Sequence, residues 1–200
     1  MIEAERVAVL RSLGEIADPV IVELGAYHGE DFEGLLGKEM LHIMVEPDLA
    51  NYVHIRNRGK RRLYRCAIGE KSGFRTFYRS DGDHGSGSLL KPTGHLKHFP
   101  HVHFNETVTV PCCALDDIFS GDKLSRIDLL WVDIQGAEAE MIRGGSYALS
   151  RTRYLFMEAE EVEFYDGQVL RPELLKMLPY WALVETFDYN VLLRNEKFAA

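Results

Sequence analysis

The 200-residue chain lacks any apolar run that approaches the about 20 residues of a membrane-spanning helix. Its N-terminus mixes acidic and basic residues among apolar positions, which is unlike a signal peptide and favours an amphipathic helix over residues 1–18. Cysteine is also scarce, because there are three cysteines and none forms a C-x-x-C pair. An odd number of unpaired cysteines is typical of reduced thiols in a cytosol. These absences predict a cytoplasmic protein that makes no contact with a membrane.

An excess of positive charge is lacking as well, since the formal net charge is −8. A general nucleic-acid-binding protein presents a basic face, so nucleic acid is not expected as a partner. The basic cluster Arg56–Arg65 is typical of a solvated helix end. Two hundred residues with 46% hydrophobic content suffice for one full core, and the sequence contains no repeat or linker. We therefore expect a single domain over residues 1–200.

The most informative stretch, Val20–Asp31, joins an apolar run to a glycine turn. Val20–Val22 is β-branched, as expected of a buried strand, and Glu23 follows it. The turn Gly25–Gly29 comes next, and two acids stand where a helix would begin. This pattern predicts a cradle in which glycines let a ligand approach the backbone and free N–H groups bind its negative group.

The turn does not match a dinucleotide site. Such sites follow the pattern GxGxxG, and Tyr27 occupies the position of the second glycine, which a pyrophosphate needs. The surrounding acids also disfavour phosphate. S-adenosylmethionine fits better, because it carries a sulfonium and a carboxylate but no phosphate. The spacing of Glu23, Gly25 and Gly29 is similar to the first motif of Rossmann-like methyltransferases, although glycine turns follow strands in other α/β proteins too.

Strand and helix patterns alternate along the chain and predict a three-layer α/β sandwich with a mostly parallel sheet that ends in an antiparallel hairpin. The predicted strands are Val20–Val22, Leu41–Val45, Arg62–Ile68, Phe74–Tyr78 (an added ribbon), Thr107–Pro111, Ile127–Val132, Arg153–Met157, Trp181–Phe187 and Asn190–Arg194. The predicted helices are residues 1–18, Asp31–Gly37, Asp48–Gly59, one that begins at Leu115, one that begins near Ala137, and Arg171–Leu178.

Acidic residues end several of these strands. Ligands of parallel sheets bind beyond the carboxyl ends of the strands, so we expect four acids at one rim around a positive group: Glu23, Glu46, Asp133 and Glu158. Glu46 lies about 20 residues past the turn, where an acid accepts hydrogen bonds from both ribose hydroxyls. Mg²⁺ held by Asp133 and Glu158 is an alternative, but we predict no metal site.

Two polar segments predict loops beside the site. Ser80–Lys91 is dense in glycine, serine and aspartate, and Thr93–His103 carries four histidines without a complete set of metal ligands. We predict that residues 80–106 form a polar, mobile region on the substrate side. The acidic residues within Glu160–Glu163 are predicted to be solvated surface.

A succession of segments from about Pro19 to about Gln168 then narrows the interpretation. In order, they are ELGAYHGEDF, VEPD, CAIGEKSGFRTFY, GSGSLL, TVPCCALDDIF, WVDIQGAEAEMIRGG and MEAEEVEFYDGQ. Above all through AIG, LDD and DI-x-G-A-E, this succession resembles the FkbM family of S-adenosylmethionine-dependent methyltransferases. The resemblance implies the Rossmann-like class I methyltransferase fold with a seven-stranded sheet. It also implies methyl transfer to an oxygen of a sugar, polyketide or other secondary metabolite.

The resemblance also implies roles for single residues, with cofactor contacts at Glu23, Gly25 and Glu46 and with Asp133 near the methyl group. The full predicted cofactor set is Glu23, Gly25, Ala26, Tyr27, Gly29, Glu46, Pro47, Ala67, Ile68 and Asp133. The predicted acceptor-side residues are Ser86, Ser88, Gln135 and Glu158. Gln135 stands where the family often has glutamate, and Tyr27 and His28 replace a more usual asparagine, so acid–base chemistry near Gln135 does not carry over directly.

Methyl transfer from a sulfonium is an in-line displacement that depends mainly on positioning, and an alcohol acceptor also needs a base. Asp133 is the first candidate base and His84 the second. The expected acceptor is a small molecule or a glycan. Two alternatives stay open: a non-catalytic S-adenosylmethionine-binding module, and a nicotinamide-dependent oxidoreductase, which the residues around the turn disfavour. The identity of the acceptor and the oligomeric state do not follow from the sequence.

Overall fold

The computed structural model describes residues 2–14, 16–32, 40–57, 59–81 and 85–198. The strands in these ranges are β1 (Val20–Leu24), β2 (Leu41–Val45), β3 (Lys60–Tyr64), β4 (Ala67–Ile68), β5 (Gly73–Arg79), β6 (Glu106–Cys113), β7 (Ile127–Val132), β8 (Thr152–Glu158), β9 (Trp181–Thr186) and β10 (Asn190–Asn195). The helices are α1 (Glu3–Leu13), α2 (Leu49–Tyr52), α3 (His95–His98), α4 (Leu115–Gly121), α5 (Glu138–Gly144), α6 (Ser146–Ser150) and α7 (Arg171–Lys176).

Seven of the described strands form one sheet in the order β3-β2-β1-β7-β8-β10-β9. The first five of these strands run parallel, and β10 runs antiparallel to both β8 and β9. The carboxyl ends of β1, β2, β7 and β8 therefore lie along one edge. The predicted α/β class, with a mostly parallel seven-stranded sheet that ends in an antiparallel hairpin, is confirmed.

Helices bury both faces of this sheet. Val22 and Leu130 belong to one core with residues of α4, α5, α6 and α7. Ile21 and Leu129, which alternate with them along the strands, belong to a second core with residues of α1. Every residue of β7 is buried, as the apolar run Ile127–Val132 predicts for a central parallel strand.

The remaining described strands, β4, β5 and β6, form a small second sheet in the order β4-β6-β5. The prediction of one strand over Arg62–Ile68 is wrong, because β2 ends at Val45 and Tyr64 is the last residue to pair with it. The chain then turns, and β4 pairs in parallel with the end of β6. An ion pair between Arg75 and Glu140 (Nη1 to Oε2, 2.8 Å) ties this small sheet to α5.

Two predicted helices are shorter than expected. Asp48 caps α2, since its Oδ1 accepts a bond from the Ala50 N–H at 2.9 Å, but α2 ends at Tyr52 instead of near Gly59. Val53, which follows, is 64% exposed and so adds little buried contact that could extend the helix. The N-terminal helix ends at Leu13.

The predicted helix over residues 31–37 lies, except for its first two residues, outside the described ranges. Among the helices that the structure describes, none combines the length and the apolar composition needed to span a membrane.

Candidate active site

A cavity of about 280 Å³ lies at the carboxyl ends of β1, β2 and β7. Its walls come from the glycine turn after β1, the segment after β2, strand β4 and the segment after β7. Of the predicted cofactor residues, those that line this cavity are Gly25, Tyr27, Glu46, Pro47, Ala67, Ile68 and Asp133. We call it the cofactor cavity.

The turn after β1 needs glycine at two positions. Gly25 has a φ of +81°, and a Cβ added there would lie 1.7 Å from the Asp133 carbonyl oxygen. Gly29 has a φ of +73°, and a Cβ added there would lie 2.5 Å from Met44 Cε. Only glycine combines the left-handed conformation with this close approach, so the turn packs directly against the segment that carries Asp133.

Most of the N–H groups of this turn are bonded within the protein, which contradicts the prediction that they are free for a ligand. The N–H groups of Gly25 and Ala26 both donate to the Val45 carbonyl, at 2.9 and 3.0 Å. The N–H group of Tyr27 donates to Glu46 Oε2 at 2.9 Å. Strand β2 runs beside β1. The carbonyl of the last residue of β2 and the carboxyl of the acid that follows it accept the hydrogen bonds of these donors, which the sequence pattern predicts to be free for a ligand.

Glu46 is fixed from both sides. Its Oε2 accepts the Tyr27 N–H, and its Oε1 accepts the Asp48 N–H at 2.8 Å. The residue is 4% exposed, and burial raises the pKa of its carboxyl to about 7, although the two backbone donors lower it in part. Glu46 thus presents a rigid acceptor to the cofactor cavity and changes charge near neutral pH.

Asp48 also lines the cofactor cavity, although the sequence predicts only a helix cap there. Arg79 on β5 holds it with two bonds, from Nε to Oδ2 at 2.7 Å and from Nη2 to Oδ1 at 2.8 Å. Such paired bonds fix both position and orientation. Arg79 also donates to Glu106 Oε2 at 2.8 Å, so the small sheet braces the segment after β2.

Glu23 does not line the cofactor cavity and is not at the rim with the other acids. Strand β1 continues through Leu24, so Glu23 lies inside the sheet, where its Oε2 is 2.6 Å from His42 Nε2. Burial raises the pKa of Glu23 well above its ordinary value and lowers the pKa of His42 to about 3. Burial thus favours the uncharged form of both side chains, and both residues are fully buried within the sheet.

A single amide organises the end of β7. Gln135 Nε2 donates to Asp133 Oδ1 at 2.6 Å and to Glu158 Oε2 at 2.9 Å. Gln135 Oε1 accepts the hydroxyl of Tyr165 at 2.7 Å. All polar atoms of the amide are engaged, so the Asp133 carboxylate has a fixed position at the cavity wall.

Carboxyl groups crowd behind this amide, and burial is the main cause that raises the pKa of each. The pKa of Glu138 rises to about 8 and that of Glu160 to about 7, and the pKa values of Asp133 and Glu158 are raised as well. Glu138 Oε1 accepts the Gly136 N–H at 3.3 Å and so stabilises the turn after β7.

The prediction that Glu160 is solvated is wrong. It is 6% exposed and accepts a bond from Gln168 Nε2 at 2.5 Å. Within the described ranges, no group of three or more histidine, cysteine, aspartate or glutamate residues is arranged to hold a metal ion.

The predicted acceptor-side residues separate into different environments. Ser86 and Gln135 line a second cavity, of about 330 Å³. Ser88 is fully buried, and its hydroxyl donates to the Gln135 carbonyl at 2.6 Å, so it holds the turn rather than facing either cavity. Glu158 is half-buried behind the Gln135 amide. His84, the second candidate base, lies outside the described residues.

The histidine-rich segment is not the polar loop that was predicted. It contains α3, and its first histidine, His95, is 3% exposed, with its ring centroid 5.0 Å from that of Phe99 and 5.2 Å from that of Phe104. The N–H groups of Gly94 and His95 both donate to the Phe164 carbonyl, at 2.9 and 3.0 Å. The phenylalanines between the histidines provide apolar contacts, which the number of histidines in the segment does not indicate.

Residues 23–191 match the family model described as the methyltransferase FkbM domain. The chain belongs to the FkbM methyltransferase family. The 2-O-methyltransferase NoeI of Sinorhizobium fredii (strain NBRC 101917 / NGR234) is 37% identical over 93% of this chain and 83% of its own length. The chain is accordingly an S-adenosylmethionine-dependent methyltransferase, as its sequence motifs imply.

Solved structures of low sequence identity share the fold of this FkbM methyltransferase. Magnesium protoporphyrin IX methyltransferase ChlM from Synechocystis PCC 6803 with bound SAM has a TM-score of 0.52 at 11% identity, over 95% of this chain and 75% of that chain. The putative methyltransferase yhhF from Escherichia coli has a TM-score of 0.50 at 11% identity, over 98% and 88%. WbdD, co-crystallised with the kinase inhibitor LY294002, has a TM-score of 0.51 at 13% identity, over 96% of this chain but only 39% of its own.

The residues of the FkbM site that sequence reasoning missed are mostly distant in the chain from those that it found. Arg79 and Asp48 come from different sheets, and no local pattern links them. Tyr165, which binds the Gln135 amide, lies within the motif MEAEEVEFYDGQ, so the motif marked the segment but not the contact.

Proposed function

We propose that this FkbM methyltransferase binds S-adenosylmethionine in the cofactor cavity and methylates a hydroxyl of a sugar-containing acceptor. The observation that carries the proposal is the acidic lining of that cavity, where Glu46, Asp48 and Asp133 converge and none of the described lining residues is lysine or arginine. Such a lining fits a sulfonium and a ribose and disfavours the phosphates of a nicotinamide dinucleotide. The relative's name, 2-O-methyltransferase, supports oxygen as the acceptor atom.

Different residues of the chain contact different parts of the cofactor. Glu46, fixed by two backbone donors, is placed to accept hydrogen bonds from the ribose hydroxyls. Ala67 and Ile68 supply an apolar wall for the adenine, and Gly25 lets the turn pack directly against the Asp133 carbonyl, where any side chain would collide with the backbone. When bound, S-adenosylmethionine supplies a methyl group on a sulfonium.

Asp133 is the proposed base that takes the proton of the acceptor hydroxyl. The residue is exposed at the cavity wall, yet desolvation by the surrounding protein raises the pKa of its carboxyl, which brings the group closer to the pKa range in which a base works best near neutral pH. The Gln135 amide holds Asp133 by one oxygen, at 2.6 Å. His84 is the alternative base, and a requirement for Mg²⁺ is the alternative to direct proton transfer.

The test is methyl transfer from methyl-labelled S-adenosylmethionine to a panel of neutral glycosides, with product detected by mass spectrometry. We expect Asp133→Asn to lower kcat by about 10²–10⁴-fold, the usual contribution of a general base. The affinity for S-adenosylmethionine should change much less. Asp188→Asn, at an exposed position in the hairpin between β9 and β10, is the matched control and should behave as wild type.

Full activity of Asp133→Asn together with loss of activity in His84→Ala would transfer the role of base to His84. Loss of the wild-type rate in EDTA, with recovery on addition of Mg²⁺, would support the metal alternative. Tight binding of S-adenosylmethionine without transfer to any acceptor would favour the non-catalytic binding module.

A further inference from the structure

The second cavity adjoins the cofactor cavity. Gly85 lines both cavities, and Gln135, which lines the second, donates to Asp133 of the first at 2.6 Å. The cavities therefore meet at the pair formed by Asp133 and Gln135. The volume of the second, about 330 Å³, is within the range of roughly 300–1,000 Å³ that small-molecule sites occupy.

His95 adds a polar side chain to the lining of the second cavity. The residue is 3% exposed, and burial lowers the pKa of its imidazole. Its Nδ1 is enclosed by protein atoms and has no hydrogen-bond partner among the described residues. An imidazole both donates and accepts hydrogen bonds, as the hydroxyls of a bound ligand require.

The lining combines apolar rings with polar groups. Phe99 and Phe164 both line the cavity, with ring centroids 5.5 Å apart and planes at 63° to each other. Glu160 and Gln135 add a carboxyl and an amide. A pyranose ring has this same division, because its C–H groups form apolar faces while hydroxyls project from its edge.

Charge narrows the ligand class further. None of the described residues that line the second cavity is lysine or arginine, and Glu160 and the neighbouring Glu158 add carboxyl groups. A ligand that carried a phosphate or a carboxylate here would find neither lysine nor arginine as a partner.

We propose that the second cavity is the acceptor cavity and that it holds the uncharged sugar ring whose hydroxyl is methylated. Phe99 and Phe164 contact the apolar face of the ring, and His95 and Glu160 bind its hydroxyls. The reacting hydroxyl lies on the side of Gln135, next to Asp133. There, an O–C bond forms as the S–C bond of the sulfonium breaks, the hydroxyl proton passes to Asp133, and S-adenosylhomocysteine leaves.

This inference rests on the proposed methylation of a sugar hydroxyl, and the experiment separates the two. The acceptors are p-nitrophenyl glycosides of neutral hexoses and the matching p-nitrophenyl hexuronides. The variants are Phe99→Ala and Glu160→Gln, with circular dichroism as a check of folding. Leu96→Ala is the matched control, since Leu96 is on the same helix as His95, is 46% exposed and does not line the cavity.

We expect Phe99→Ala to raise the KM for the best neutral glycoside about tenfold, as loss of an aromatic contact and its buried area predicts. Calorimetric affinity for S-adenosylmethionine should stay at the wild-type value in both variants. Hexuronides should show a kcat/KM at least about tenfold below that of the matching neutral glycosides. Leu96→Ala should be indistinguishable from wild type.

Unchanged KM values in both variants, with an active wild type, would overturn the acceptor cavity and leave the proposed function standing. Equal use of hexuronides would overturn the assignment to uncharged sugars. If the wild type methylates no glycoside, the proposed function fails. Saturation-transfer NMR then still tests whether the second cavity binds a sugar ring. Binding of a glycoside that Phe99→Ala abolishes supports the acceptor cavity, and absence of binding overturns it.

Discussion

The chemistry of Glu46 depends on where its carboxyl is held. Two backbone N–H groups fix the oxygens, while the surrounding protein removes most of the water, and the net effect is a pKa of about 7. The carboxyl is mostly protonated at pH 6 and mostly ionised at pH 8. An ionised carboxylate is the stronger acceptor for ribose hydroxyls, so affinity for S-adenosylmethionine should rise with pH across this range.

We therefore expect the Kd of the wild type for S-adenosylmethionine to fall by up to about tenfold from pH 6 to pH 8, the limit for one group that must ionise. Glu46→Gln keeps the size of the side chain but cannot ionise. The Kd of this variant at pH 8 should be higher than that of the wild type, and the part of the pH dependence that comes from Glu46 should be absent. Calorimetric titrations of both proteins at several pH values make the comparison, and the titration of the ligand's own amino group cancels between them. The same pH profile in both proteins would contradict the assignment.

At the scale of single residues, the sequence predicts the acids that follow β2 and β7 and fails for contacts between distant segments. Glu46 and Asp133 follow strands whose apolar runs are clear, so their place at the cavity could be predicted. Glu23 was misplaced because β1 continues through Leu24, two residues beyond the predicted end of the strand, and Glu23 therefore lies within the sheet. The partnership of Arg79 with Asp48 joins two sheets and has no local pattern.

Helix α5 and the segment after β4 pack backbone to backbone. A Cβ added at Gly144 would lie 2.6 Å from the Gly69 carbonyl oxygen and 2.8 Å from the Glu70 carbonyl oxygen. Gly69 follows directly after Ala67 and Ile68, which line the cofactor cavity. The close contact at Gly144 therefore fixes the position of β4 relative to α5, and β4 forms one wall of the cofactor cavity.

Gly144→Ala should lower the free energy of unfolding by about 1–3 kcal/mol, because two backbone carbonyls have to move. It should also weaken S-adenosylmethionine binding. The matched control is Gly121→Ala at the end of α4, where an added Cβ meets no atom within 4 Å. There the higher helix propensity of alanine should raise the free energy of unfolding by up to about 1 kcal/mol. Urea unfolding measures the free energy of unfolding of both variants. An increase in both variants would contradict the packing described for Gly144.

Entire elements were predicted wherever one local pattern decided them. Strand β7 matches its apolar run to the residue, and so does β2. Strand β3 failed at its end because the length of a neighbour, β2, decides where pairing stops. The prediction for the histidine-rich segment failed because the packing partners of His95, Phe164 and Tyr165, lie about seventy residues further along the chain and no local periodicity refers to them.

At the scale of the whole molecule, the alternation of strands and helices sufficed for the fold, and the ordered motifs sufficed for the family. The second sheet did not follow from either, although it supplies β4 to the cofactor cavity and Arg79 to brace Asp48. The two cavities likewise arise from segments that meet only in the folded chain. The two cavities thus lie where the large sheet, the small sheet and the aromatic segment around α3 come together.

Calorimetric titration of S-adenosylmethionine into the purified protein, beside Glu46→Ala and with NAD as a second ligand, asks directly whether the cofactor cavity binds S-adenosylmethionine. We predict micromolar binding of S-adenosylmethionine, a loss of affinity of about tenfold or more in the variant, equal to about 1.4 kcal/mol, and no binding of NAD. A well-folded protein that binds no S-adenosylmethionine would contradict the account, and binding of NAD in its place would indicate a dehydrogenase.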